Sequence, residues 1–367
     1  MNIDRVKIKN FKSLKDIDIS LSNLTLITGV NSSGKSSFIQ ALLLIKQNQS
    51  KFNNLSRPEQ LLSINGAYVQ LGNKKDILYQ ELSRENIKIE LIYKDNINYL
   101  EFNNNDLIIN NDFPLIGLEE SYNIFNNDFQ YIQTDRIAPK ISYGLSDENI
   151  QDNLIGINGE YTAQYLTVNR HKRINIEALI HRNAKTSQLL ENVSLWLNEI
   201  SENIEVKADV QQNTLSATLS YMYTYGDNTT NEYTPLNIGF GITYVLPIIV
   251  SILKAKEGDL VIIENPESHL HPAGQSKVAE LCAIASANEV QIIIETHSDH
   301  FLNAIRIATK KVILIPEQSK VYYFRKEKDK LETIVDEINI DENGSIDKYP
   351  KRFFDQFDDD LDELLGL

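Results

Sequence analysis

The sequence predicts an α/β protein with a mainly parallel sheet, an antiparallel β layer and an inserted helical subdomain. Three observations predict it. An apolar strand, Leu24-Thr25-Leu26-Ile27-Thr28, runs into the glycine loop Gly29-Val30-Asn31-Ser32-Ser33-Gly34-Lys35-Ser36, which opens a helix. After Pro235, uninterrupted β-branched runs alternate with helical stretches, as strands buried on both faces of a parallel sheet require. Between residues 86 and 117 the pattern differs: short β runs are separated by Asn-rich tracts that favour turns, which predicts antiparallel hairpins.

Taken in order, Ile3, Val6 and Ile8, then Ile17, Ile19 and Leu21, then Leu24–Ile27 mark three short strands. The turn Asn10-Phe11-Lys12-Ser13 returns the chain beside the glycine loop, and Lys12 reads as a solvated turn residue rather than a nucleotide contact. The helix from Lys35 carries Phe38, Ala41, Leu42 and Ile45 on one buried face. Residues 46–66 read as a loop with a short helix at Glu59–Leu62, and Ala67–Asn73 as a short strand. Ile87–Leu91, Tyr99–Phe102 and Leu107–Ile109 form the hairpin layer, and Tyr131–Gln133 adds a strand.

Helical stretches follow at Tyr161–Val168, Ile176–Ile180 and Gln188–Ile200, with a solvated basic turn at Arg170-His171-Lys172-Arg173. No apolar heptad persists for three repeats, so no coiled-coil arm is expected. Ile204–Val210 and Leu215–Tyr221 alternate as a hairpin capped at Gly226-Asp227-Asn228. The last third reads as helix Ile238–Leu253, strand Leu260–Ile263, helix Gln275–Ala287, strand Val290–Ile294, helix Asp299–Ala308 and strand Val312–Leu314. Phe354, Phe357, Leu361, Leu364 and Leu365 share one helical face, which predicts a docked amphipathic end. The expected organisation is an N-terminal lobe at 1–80, the hairpin layer at 81–235 with the helical insertion at 147–200, and a C-terminal lobe at 236–367.

Composition narrows the function. A net charge of −15 argues against sequence-independent DNA binding by this chain alone, because phosphate contacts need clustered Lys and Arg; a local basic groove for nucleic acid stays open. The single Cys282 excludes a disulfide framework and a cysteine-based zinc site. Met1 is followed by Asp4, Arg5 and Lys7 rather than a signal-peptide core, and no run approaches the roughly 18 apolar residues of a membrane span. The expectation is a cytoplasmic protein without membrane contact.

The glycine loop has the spacing G-x-x-x-x-G-K-[ST] between strand and helix, the context in which that motif holds a phosphate. Gly29 and Gly34 let backbone approach a phosphate where a side chain would not. The loop N–H groups and the positive helix end then face the anion. Lys35 supplies a point charge to the β/γ oxygens, and the Ser36 hydroxyl can ligate Mg²⁺. Further on, Leu260–Ile263 ends in Glu264-Asn265-Pro266-Glu267, a strand-end carboxylate where a second Mg²⁺ anchor belongs. Ser268-His269-Leu270-His271-Pro272 follows, and Glu295-Thr296-His297-Ser298 puts a histidine at the tip of the next strand.

In these motifs the chain resembles an ABC-class P-loop ATPase head of the RecF, OLD and structural-maintenance-of-chromosomes (SMC) group. More closely, it is similar to compact bacterial AAA-type proteins with an E-N-P-E-x-H-L-H-P segment, which resemble the ATPase subunits of anti-phage systems such as Septu. The resemblance runs from Lys9-Asn10-Phe11-Lys12-Ser13-Leu14 to Tyr349-Pro350-Lys351-Arg352-Phe353-Phe354. It implies a Walker A loop from Gly29 to Ser37, including Asn31, Ser32 and Ser33, with ATP and Mg²⁺ as cofactors. It makes Gln70 the Q-loop residue, Glu264 the Walker B carboxylate, His269–Pro272 the D-loop and His297 the switch histidine. Asn237-Ile238-Gly239-Phe240-Gly241 matches the ABC signature in one of two adjacent registers, so Asn237, Gly239 and Gly241 would contact nucleotide. In that class the signature of one subunit closes over ATP held by another, which implies a homodimer or a higher even oligomer.

One departure matters. Relatives in the wider group usually carry Asp-Glu at the strand end, whereas here the pair is Glu264-Asn265, and an amide cannot take a proton near neutral pH. Glu267 is then the carboxylate left to orient water, with Gln70, Asn265 and His297 beside it. OLD nucleases add a C-terminal Toprim domain; the roughly seventy residues after His297 read as strands plus one helix, and Asp358-Asp359-Asp360 lies on the amphipathic stretch rather than at a strand end. An effector such as a nuclease would therefore be separately encoded. The readings carried forward are an ATP-dimerised regulator of an effector in phage defence, a nucleotide-gated scaffold with little turnover, and a RecF-like DNA-repair ATPase.

Overall fold

The computed structural model describes residues 1–52, 60–79, 86–94, 96–102, 107–109, 122–327, 330–350, 353–354, 361 and 363–365. The chain forms two compact units, one of residues 1–126, 319–341 and 346–367, the other of residues 127–318 and 342–345.

In the first unit, Arg5–Phe11 pairs antiparallel with Leu14–Ser20 on one side and Ile87–Tyr93 on the other. Asn96–Phe102, Ile108–Ile109 and Gln60–Leu61 extend that antiparallel sheet. Side chains alternate across a strand, so Val6, Ile8, Ile17, Ile19, Ile89 and Leu91 are buried together. Lys7, Lys9, Asp16 and Asp18 form the opposite, ion-paired face. Leu24–Gly29 behaves differently and is buried at five of its six positions. It pairs in parallel with Ser319–Lys326, which turns back antiparallel into Thr333–Ile338. The helix Lys35–Gln47 then buries Phe38, Ala41, Leu42 and Ile45 as its spacing predicts, together with Ile39, Leu43 and Leu44.

Four secondary-structure expectations fail in this unit. The loop expected over 46–66 begins as helix, Lys35–Gln47 being followed by the short helix Gln49–Phe52. Gln60–Leu61 is a strand edge paired to Ile108–Ile109 rather than part of a helix; Glu59 lies outside the described residues. Ala67–Asn73 forms no strand, only a bridge between Asn65 and Gln70, because Gln47 Oε1 takes the N–H groups of Tyr68 and Val69. At the C-terminal end, Phe353 is buried edge-on against Tyr323, while the adjacent Phe354 has φ 56° and leaves the helical path. Leu361, Leu364 and Leu365 are exposed, so the face expected to dock is open; Phe357 and Asp358–Asp360 lie outside the described residues.

In the second unit, Gln130–Ile132, Leu260–Glu264 and Gln291–Glu295 form a parallel sheet with Leu260–Glu264 in the middle. Helices Phe240–Leu253 and Pro272–Ala287 precede and follow the middle strand. Helices Asp147–Gln151, Thr162–Asn169 and Leu189–Asn198 form the helical insertion, and the stretch at Ile176–Ile180 is one 3₁₀ turn, Glu177–Leu179. Ile204–Gln211 and Ser216–Tyr225 pair as the expected hairpin. Its closing turn is at residues 212–215, where Leu215 is exposed with φ 47°; the Gly226-Asp227 turn instead joins Tyr225 to the short strand Asn228–Thr229. Val312–Leu314 is not a strand. Val312 has φ 58° and is 78% exposed in the turn after helix Asp299–Lys310, and the next strand begins at Ser319. No helix among the described residues is long and apolar enough to cross a membrane.

The buried Asp259 precedes the middle strand and accepts the Lys256 N–H at 2.8 Å. Burial pushes its carboxyl up to about 6 from 3.8. The folded chain therefore holds that proton more tightly than the unfolded chain, and stability from this group falls as pH rises from 3.8 to about 6. Asp259→Asn keeps the acceptor and removes the ionisation. Its thermal midpoint should gain on wild type steadily across that window, whereas a constant difference would place the titration elsewhere.

Candidate functional site

The first unit carries the glycine loop. Gly29 has φ 144°, and a Cβ there would stand 2.1 Å from the Phe324 carbonyl oxygen of the paired strand. Gly34 has φ 104° and opens the helix Lys35–Gln47, which has no side-chain cap and no acidic residue in its first turn. Ser32 also has positive φ. These turns bend the loop around the Lys35 amine, which is almost fully buried and donates to the carbonyls of Gly29 and Val30 at 3.0 and 3.1 Å.

Residues Ser32–Ser37 line a cleft of about 450 Å³ together with Lys12, Lys75 and Lys326. Lys12 is therefore not a solvated turn residue. Its Nζ donates to Gln40 Oε1 at 2.7 Å, and burial lowers its pKa. Nothing local marked Lys75 or Lys326 as cleft residues. The exposed Asn31 and Gln70 are not among the residues lining this cleft; Gln70 stands at its bridge with Asn65.

The second unit carries the carboxylates. Glu264 ends the middle strand and accepts the Tyr131 hydroxyl at 3.1 Å and the Thr134 hydroxyl at 3.0 Å. Burial pushes the Glu264 carboxyl up, against these hydrogen bonds. Beside it, Asn265 has φ 43°, a strained setting that Arg136 holds. The buried Arg136 guanidinium donates to the carbonyls of Glu264 and Asn265, both at 2.8 Å, and lies over the Tyr244 ring. Burial pulls its pKa down to about 10.

Glu267 sits in a cradle. Its Oε2 accepts the Thr296 hydroxyl at 2.7 Å, and its Oε1 accepts the His297 backbone N–H at 2.9 Å and the Asn265 amide at 3.3 Å. Three of the roughly four acceptor positions of a carboxylate are thereby used, and one remains for a water. The structure thus brings Glu264, Asn265, Glu267 and His297 together, with the His297 side chain exposed. Tyr131, Thr134, Arg136 and Thr296 were missed as site residues, since polar residues at a strand end carry no distinguishing local pattern.

The signature stretch lies in this unit too. Pro235–Asn237 is a 3₁₀ turn, and the exposed Gly239 caps helix Phe240–Leu253. A Cβ on Gly241 would meet the His269 carbonyl at 2.3 Å. The Phe240, Tyr244 and His269 rings pack at 4.7–4.9 Å between centroids. The helix start is thus pinned to the segment after Glu267, and His271 caps helix Pro272–Ala287 by accepting the Ala273 N–H. Each unit offers a hard oxygen donor of the kind Mg²⁺ takes, the Ser36 hydroxyl in the first and the Glu264 carboxylate in the second.

Comparison with known proteins agrees with this fold. A structure of an SMC head bound to the C-terminal winged-helix domain of ScpA superposes with a TM-score of 0.54 at 14% identity, covering 92% of this chain and 98% of that one. The SMC head domain from Thermotoga maritima covers the same shares at a TM-score of 0.48 and 13% identity. The DNA replication and repair protein RecF of Acetivibrio thermocellus is 35% identical over 95 residues, which is 26% of this chain and 24% of RecF. The alignment thus spans about a quarter of that relative's length. Residues 314–364 match a second family, Protein of unknown function (DUF3696). Residues 24–303 match the family described as AAA domain, putative AbiEii toxin, Type IV TA system, and the chain belongs to that family, with the fold of a RecF- and SMC-like P-loop ATPase head.

Proposed function

We propose that the chain binds ATP with Mg²⁺ through the glycine loop and hydrolyses it, using Glu267 to orient the attacking water. The observation that carries this reading is the loop itself: two glycines in conformations that side chains resist, bent around a buried lysine at an uncapped helix start. In this reading Lys35 and the loop N–H groups would hold the β- and γ-phosphates, Ser36 and Glu264 would serve as Mg²⁺ ligands, and His297 would report the γ-phosphate. When bound, the metal neutralises charge on the transferred phosphoryl group. Gln70 is assigned to metal and water sensing by resemblance alone. Asn237, Gly239 and Gly241 contact the nucleotide of a second copy, so the working unit is a homodimer or a higher even oligomer.

The chain then regulates a separately encoded effector, such as a nuclease, in anti-phage defence. The toxin–antitoxin wording of the family description is consistent with that setting. Asn265 favours a second reading, a nucleotide-gated scaffold with little turnover. A RecF-like repair role has the partial RecF match behind it and the −15 charge against it.

Lys35→Ala tests nucleotide binding at its centre. Calorimetry with Mg-ATP should show affinity at least about 100-fold weaker than wild type, given a desolvated charge on phosphate. The nucleotide-free unfolding midpoint is read in parallel. Equal affinities in wild type and variant would remove this loop from nucleotide binding.

A further inference from the structure

The far end of the chain reaches the phosphate loop within the first unit. Thr333 opens the strand Thr333–Ile338 and is 3% exposed. Its backbone N–H donates to the Ser13 carbonyl at 2.9 Å. Its hydroxyl donates to the Ser33 carbonyl oxygen at 2.8 Å and lies 2.8 Å from the Ser13 hydroxyl. A carbonyl can only accept, so the Thr333 proton is committed to Ser33 and the Ser13 hydroxyl supplies the second proton. Gly34 is packed against the same pair, since a Cβ there would stand 2.4 Å from Thr333 Oγ1 and 3.0 Å from Ser13 Oγ.

The Ser33 carbonyl and the Gly34 N–H belong to one peptide plane, and in a trans peptide they point in opposite directions. Fixing the carbonyl on Thr333 therefore turns the Gly34 N–H away from the strand. We infer that Thr333, backed by Ser13, is a positioning residue for the nucleotide: it locks the Ser33–Gly34 peptide so that the Gly34 N–H is presented to phosphate. The inference rests on the nucleotide reading above. It gives the C-terminal hairpin a task beyond completing the sheet, because the segment that returns after Ser319 sets the shape of a loop formed about three hundred residues earlier. Without the hydroxyl the buried Ser33 carbonyl loses its donor, and the peptide can rotate to find another.

The test uses the full chain with Thr333→Val, which is nearly isosteric, Thr333→Ser, which restores the hydroxyl, and Ser13→Ala. Mg-ATP affinity is read by calorimetry and folding by the nucleotide-free thermal midpoint. Thr333→Val should weaken Mg-ATP binding about tenfold, Thr333→Ser should return to within about threefold of wild type, and Ser13→Ala should fall between them. A folded Thr333→Val within about twofold of wild type overturns the inference. So does a Thr333→Ser variant as weak as Thr333→Val, which would make the residue a packing element only. Should Thr333→Val fail to fold, Ser13→Ala decides: weakened binding supports the inference, and unchanged binding overturns it. Wild-type chain that takes up no Mg-ATP overturns the nucleotide reading itself, and is told apart because the other failures appear only in variants.

Discussion

Glu267→Gln is expected to slow phosphate release from Mg-ATP by on the order of 10²–10⁴-fold while leaving Mg-ATP affinity within a few-fold of wild type. The cradle explains why the two should separate. The Gln oxygen can take the place of Oε1 and keep the His297 N–H and Asn265 amide bonds. Its NH₂ takes the place of Oε2 and donates to the Thr296 hydroxyl, which can accept. Shape survives with one contact reversed, the Thr296 hydroxyl now accepting where it donated, and the lone pair that receives a proton from water is lost. ATP should then stay bound unhydrolysed, and light scattering should find the variant at twice the monomer mass with ATP and at monomer mass without it. Equal turnover in variant and wild type would remove Glu267 and leave water positioning to Gln70, Asn265 and His297.

Gly29→Ala should cost about 3–5 kcal/mol, adding overpacking to a backbone conformation that an L side chain resists. The atoms in the way are backbone. A Cβ would stand 2.1 Å from the Phe324 oxygen and 2.9 Å from its N and C, and Gly29 is the register partner of Phe324. Neither strand can yield without breaking the parallel pairing that anchors the loop. The thermal midpoint should fall by roughly 5 °C or more, and Mg-ATP binding should go with it. Gly144→Ala, where nothing lies within 4 Å of an added Cβ, should behave as wild type. If Gly29→Ala matches Gly144→Ala, the contact between loop strand and C-terminal hairpin does not constrain the loop.

What was legible in the sequence was whatever local chemistry forces. Two glycines five apart before Lys-Ser, after a β-branched run, leave few alternatives to a strand, a tight loop and a helix. The buried strands Leu260–Glu264 and Gln291–Glu295 were legible because continuous apolar runs have few other uses. The misreadings share a cause, which is that composition does not fix where backbone hydrogen bonds go. Val312-Ile313-Leu314 has strand composition but sits where the chain leaves a helix with a left-handed residue. Ala67–Asn73 alternates well enough, yet Gln47 takes the N–H groups a partner strand would need.

Within the site, Glu264 was found as a carboxylate closing an apolar strand, His297 as the histidine just past the next one, and Glu267 as the carboxylate left once Asn265 occupies the base position. Arg136 and Thr333 were not, since each acts on backbone carbonyls 128 or more residues away in the chain. Lys12 was misjudged for a similar reason. Only the fold places it in the cleft beside Gln40.

The most direct test of the central claim is phosphate release from Mg-ATP by the purified wild-type full chain, with Lys35→Ala as the blank. The account predicts steady release above that blank. Bound ATP with release no faster than in Lys35→Ala would contradict hydrolysis and leave a nucleotide-gated scaffold, in which Asn265 stands where a catalytic base would have to be.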